Sequence, residues 1–269
     1  MQEEILLKLT IIWRYNMAKY KNHLGLDPIS MYGMLVQGKL KTFPNNYLDK
    51  QSIKVMVRHL VLTLNNYTRE DVLTKVDHAF LQANFLGGAK KFFNKRDVEM
   101  LIYCFPEWDL KAWEFPKTPQ NFWKDKTNQR DFVLWVAKKE GIELKSKGDY
   151  REITAEVIFK YGGSKAMRHA GGLFELLNTV ACNKYKKWEI TRVFPWHDEE
   201  IVPAIKWLVE EKLKYTPEQA CHLTRKDFTN NNLDGLLQKV GKRSVLAALE
   251  LAYPGVYCRY GRQGICLRQ

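Results

Sequence analysis

Three groups of basic and polar residues carry the side-chain chemistry that stands out in this chain. The first is Lys90, Lys91, Asn94, Lys95 and Arg96, the second Lys165, Arg168 and His169, and the third Lys239, Lys242, Arg243 and Ser244. These residue types suit nucleic acid: Arg makes paired hydrogen bonds to guanine, Asn to adenine, and Lys meets phosphate oxygens. A second basic set comprises Lys124, Lys126, Arg130, Lys138, Lys139, Lys145 and Lys147, joined by Lys184, Lys186 and Lys187. It forms a candidate track for a phosphate backbone. The C-terminal Arg259, Arg262 and Arg268, beside Tyr257 and Tyr260, add a basic tail with rings for stacking.

Catalytic and metal-binding patterns are missing from the sequence. The six histidines never fall three or four residues apart, and no Gly-x-x-x-x-Gly-Lys phosphate loop occurs. The run His197, Asp198, Glu199, Glu200 stands where a helix is predicted to begin, so its acids are expected to cap free amides rather than hold a metal. The glycine pairs 162–163 and 171–172 lack the preceding strand of a dinucleotide site. Cys104, Cys182, Cys221, Cys258 and Cys266 are widely spaced and read as reduced thiols. The expectation is a protein that is not an enzyme and needs no cofactor.

Composition points the same way. Lys and Arg number 43 against 30 Asp and Glu, a net charge of +13, which attracts polyanions through long-range steering and counterion release. Apolar residues at 45% and aromatics at 13% are too abundant for a disordered chain. Glu3 and Glu4 stand where a secretory leader would carry basic residues, and no apolar run approaches the roughly 18 residues a membrane span needs. A cytoplasmic protein without membrane association is expected.

The elements that position these residues come from an internal repeat. Phe80, Asn84, Gly87, Lys91, Leu101 and Pro106 match Phe228, Asn232, Gly235, Lys239, Leu249 and Pro254 at a displacement of 148. A shift of 75 pairs Gly87 with Gly162, Leu101 with Leu176 and Trp113 with Trp188, giving a middle copy and a period of about 74 residues. On that ruler Asn94, His169 and Lys242 are equivalent. Each copy reads as three helices: an amphipathic first, such as that with Phe132, Trp135 and Val136; a short second; and, after the glycine, a Leu-rich third. The glycines are expected to supply a positive backbone angle or a close helix contact. Met1 to Tyr20 has an apolar face through Ile5, Leu9, Ile12 and Trp13, predicting a helical cap.

A turn with glycine, a Leu-rich helix ending in Phe-Pro or Tyr-Pro, then Trp-x-Phe and Phe-Trp, resembles repeats in uncharacterised proteins of Bacillus-type bacteria and their phages. The carriers are Phe105, Pro106, Trp113, Phe115, Phe122 and Trp123, echoed by Trp188, Ile190, Pro195 and Trp196, and by Tyr253 and Pro254. The resemblance spans most of residues 48–260 and implies a structural repeat, with no activity attached to it.

The sequence therefore predicts an all-α protein of tandem three-helix modules: a cap over 1–47 and modules over 48–122, 123–196 and 197–269, the last with the basic tail. The glycine turn followed by a basic helix start is similar to a helix-turn-helix. The functional expectation is a DNA-binding regulator of bacterial or mobile-element origin preferring duplex DNA. RNA binding and a helical protein-interaction scaffold are the alternatives.

Overall fold

The computed structural model describes residues 26–192, 194–241, 243–260 and 264–267. The predicted helix within Met1–Tyr20, Lys242 and the tail residues Arg262 and Arg268 lie outside these described residues. The chain is all-α in class, closed by one short antiparallel hairpin, and divides into two compact units at Phe122 and Trp123.

In the first unit, α1 (Pro28–Val36) starts on Asp27, whose carboxylate accepts from the amides of Ile29 and Ser30, with Pro28 at the first helical position. Helix α2 (Lys50–Arg58) runs on through a π-helical stretch, His59–Leu64. Two short helices follow, α3 (Arg69–Lys75) and α4 (His78–Ala83), then a 3-10 turn at Ala89–Phe92 and α5 (Asp97–Cys104). The core gathers Ile53, Met56, Val57, Leu60, Leu101 and Phe105 among others.

The second unit holds two further rounds of helices, each opening on a long helical rod. Its first round is α6 (Lys126–Glu140), α7 (Lys147–Glu152), α8 (Ala155–Lys160), α9 (Ser164–Ala170), α10 (Leu173–Ala181) and the single turn α11 (Lys187–Ile190). Its second is α12 (Asp198–Lys206) with a π-helical continuation Trp207–Lys212, a 3-10 turn Glu218–His222, α13 (Arg225–Asn230), α14 (Asp234–Val240) and α15 (Val245–Ala252). The hairpin β1 (Tyr257–Tyr260) and β2 (Gly264–Leu267) follows.

The long rods show why the rounds resemble each other. Ile53, Met56, Val57, Leu60 and Val61 are buried on the first; Gln129, Phe132, Val133, Val136 and Ala137 on α6; Ile201, Ala204, Ile205, Leu208 and Val209 on the third. Each set follows the i, i+3, i+4, i+7, i+8 stripe that turns one face of a helix inward. In every round the rod packs against the last helix: α2 on α5, α6 on α10, and α12 on α15.

The rounds hold five, six and five of these helical segments in turn, not the three expected. The short segments are four to seven residues long, and several are delimited by caps instead of by an apolar period. Asp77, Thr154 and Thr68 each accept a backbone amide at such a start. The fixed ruler also needs correction, because single-residue length differences accumulate in the connecting turns. The left-handed residue after the second short helix is Phe85, Gly162 and Asn232 in the three rounds, at φ of 62°, 75° and 62°. Gly87 and Gly235 are instead close-approach positions: an added Cβ would lie 3.0 Å from Gln82 and from Trp196 Nε1. The last helix starts on Arg96, Gly172 and Ser244, so Leu101 corresponds to Leu177 and not to Leu176, and His169 does not correspond to Asn94.

The stretch expected to be a basic tail forms this hairpin, whose four-residue strands are at the short limit at which alternation marks a strand. Tyr257 is fully buried in the second unit, and its hydroxyl donates to the Pro217 carbonyl. It is a core residue and offers no stacking face.

Candidate nucleic-acid interface

In the first unit, Lys90 and Lys91 lie on the 3-10 turn, Asn94 and Lys95 are left-handed, and Arg96 is the N-cap of α5. Glu99 draws two of them together: Asn94 Nδ2 donates to its Oε2 at 2.8 Å and Arg96 to its Oε1 at 2.6 Å. Lys90 Nζ approaches both ring nitrogens of His78 at 3.2 and 3.3 Å, and His78 Nδ1 lies 3.2 Å from Asp97 Oδ2. Lys91 lies over the Phe92 ring. Asn94, Lys95 and Arg96 line a groove of about 810 Å³ whose other walls include apolar Val76, Leu101 and Phe115. Positive charge here is therefore partly answered by local carboxylates.

The third group is more fully engaged. Lys239 pairs with Asp198 at 3.2 Å, and Arg243 lies 4.0 Å from Asp234. Ser244 caps α15, its hydroxyl accepting from the Ala247 amide at 3.2 Å. That hydroxyl satisfies a helix end, the usual role of Ser at this position.

The middle group differs. Lys165, Arg168 and His169 stand exposed on α9. Arg168 faces a recess beside Phe159, Gly171 and Gly172. His169 lines a separate groove of about 580 Å³ together with Lys124, Lys126 and Arg130. These three belong to the second basic set of the sequence, some forty residues away, and the packing of α10 on α6 brings them beside the end of α9. All four side chains are exposed, and no ion pair involves them among the described residues.

The local sequence builds this groove from well-determined pieces. Asp125 caps α6 by accepting from the Thr127 amide at 2.8 Å, fixing where the helix starts and hence where Lys126 and Arg130 point. Gln129, only 4% exposed, donates from Nε2 to the Trp123 carbonyl at 2.7 Å and holds the wall. On the opposite side Asn178 and Asn183 close the end of α10: Asn178 Nδ2 donates to Asn183 Oδ1, and the Asn183 amide donates back to Asn178 Oδ1. Glu175, Thr127 and Thr179 complete the lining. The positive end of the α6 dipole adds to the preference for an anion.

The rest of the second basic set disperses. Lys145 pairs with Glu143, Lys147 with Glu189, and Lys187 with Glu200, while Lys139 and Lys184 lie over the rings of Trp135 and Tyr185. The acidic run at 197–200 caps α12 as expected: the His197 amide donates to Glu200 Oε2 at 3.0 Å. Sequence reasoning missed Glu175, Asn178 and Asn183. Their types are common, and only the packing of α10 on α6 gives them a shared purpose.

Comparison with known proteins adds one finding. The model of a family described as "Protein of unknown function (DUF4046)" matches residues 29–110, from α1 through α5 of the first unit. No curated protein and no solved structure matches the chain, and among the described residues no helix is long and apolar enough to cross a membrane.

Proposed function

We propose that the chain binds nucleic acid without transforming it, preferring duplex DNA, as a regulator of bacterial or mobile-element origin built from repeated helical modules. The observation that carries this reading is the groove at the start of α6, where Lys124, Lys126, Arg130 and His169 gather beside the one carboxylate of Glu175 and form no ion pair among the described residues. Cations left unpaired by the protein are those whose condensed counterions a polyanion can displace. The net charge of +13 supplies long-range attraction. Several weak contacts on one chain reinforce each other, since each later one forms intramolecularly.

Fluorescence anisotropy with a labelled duplex across a salt series tests the reading. With three phosphates neutralised in the groove, log K is expected to fall against log salt with a slope of about −3. Joint replacement of Lys124, Lys126 and Arg130 by Gln is expected to weaken binding and flatten that slope. Affinity indifferent to salt, or no binding at low salt, sinks the reading. Tighter binding of structured RNA than of duplex moves the preference to RNA. A partner protein retained after nuclease treatment and unaffected by the Gln substitutions favours the scaffold alternative.

A further inference from the structure

We infer that the α6–α10 groove receives a nucleotide phosphate monoester, the group found at a 5′-phosphorylated strand end or on a free nucleoside monophosphate. As applied to strand ends, this rests on the nucleic-acid reading above. The argument starts from the distribution of charge within the groove. Lys126 and Arg130 stand at the start of α6 and Lys124 just before its cap, whereas Glu175 projects from the first turn of α10 on the other wall. Among the described residues Glu175 has no ion pair, so three cations face one carboxylate that does not neutralise them locally.

A strand running continuously through the groove would bring a second phosphate against Glu175, which repels it. A ligand that is anionic at one end and carries hydrogen-bond donors at the other meets no such conflict. A nucleotide has that polarity. Its phosphate faces the α6 cations and His169, while a ribose hydroxyl or base amine donates to Glu175, which as a carboxylate only accepts. An internal phosphodiester bears a single charge, whereas a monoester bears nearly two at neutral pH. The second value is the closer match to the positive charge left over after Glu175. The groove, about 580 Å³, lies within the range of small-ligand sites, and a buried polar side chain, Gln129, is built into its wall.

The test compares two 3′-labelled duplexes of one sequence, with either 5′-phosphate or 5′-hydroxyl ends, bound to the full chain at moderate salt. The phosphorylated duplex is expected to bind at least tenfold tighter. The double variant Lys126→Gln, Arg130→Gln changes exposed side chains only; it is expected to keep the wild-type circular dichroism spectrum and lose the preference. Adenosine monophosphate is expected to compete better than inorganic phosphate, and Glu175→Gln to narrow that difference. Equal binding of the two duplexes overturns strand-end capture and leaves the nucleic-acid reading standing. Binding of adenosine monophosphate with neither duplex bound keeps the groove assignment, identifies the free nucleotide as its ligand and removes the nucleic-acid reading. Binding of none of the three probes overturns both. Inorganic phosphate competing as well as the nucleotide overturns the role given to Glu175.

Discussion

Gly162 and Gly163 are neighbours with different physical demands. Gly162 has φ of 75° and open space where a Cβ would stand, so an added methyl group costs only backbone strain. At Gly163 the backbone is ordinary, but a Cβ would lie 2.5 Å from Phe132 Cε1 and 2.7 Å from Ile158 Cγ2, both in the core. Gly162→Ala is therefore expected to destabilise by about 1 kcal/mol, and Gly163→Ala by about 2 to 3 kcal/mol through overpacking. Urea unfolding of the two variants checks the order. Equal losses would mean that Phe132 gives way freely and that the contact is unimportant. The sequence placed Gly162 at the turn between helices and left open whether it serves a positive backbone angle or a close contact. Only backbone geometry separates the residue that needs a left-handed angle from the one that needs space.

At the scale of elements, short helices are held by their ends. In the boxes Thr68–Asp71 and Ser146–Asp149, each carboxylate accepts from the cap residue's amide. Hydrogen bonding from Lys75, then from Thr68, holds the Asp71 carboxyl down to about 2. Asp149 is lowered by the Ser146 amide first, and Glu140 by Lys160 first. A carboxyl whose folded-state pKa is depressed stabilises fully above its unfolded value near 4 and loses that contribution as pH falls through the folded value. Burial also lowers the pKa of His59, so its protonation favours the unfolded chain in the same direction from about pH 6.5 downward. The midpoint of urea unfolding is accordingly expected to drop on acidification, mildly below about pH 6.5 and steeply between about 4 and 2. Asp71→Asn is expected to blunt the steep part; a midpoint constant down to pH 2 would contradict the end-cap account. These segments were hard to see in sequence because six residues hold less than two helical turns, too few to show an apolar period.

At the scale of the whole molecule, the second unit has a core of its own, including Trp188, Ile205, Leu208, Phe228, Leu249 and Tyr257. All residues of the α6–α10 groove also lie within it. Residues 123–269 expressed alone are expected to unfold cooperatively and to retain the preference for phosphorylated ends. A non-cooperative transition in that fragment would show that it depends on residues before 123. The sequence by itself determined the helical class, the apolar stripes of the long rods and the stop after α5 and α15 at Pro106 and Pro254, because these follow from local spacing and from the missing proline amide. Tertiary structure alone decided which cations stay unpaired. Lys239 is answered by Asp198 from another helix, while Lys124, Lys126, Arg130 and His169 meet around a groove. Charge composition records how many cations a chain carries; the distances to carboxylates that neutralise them exist only once the helices have packed.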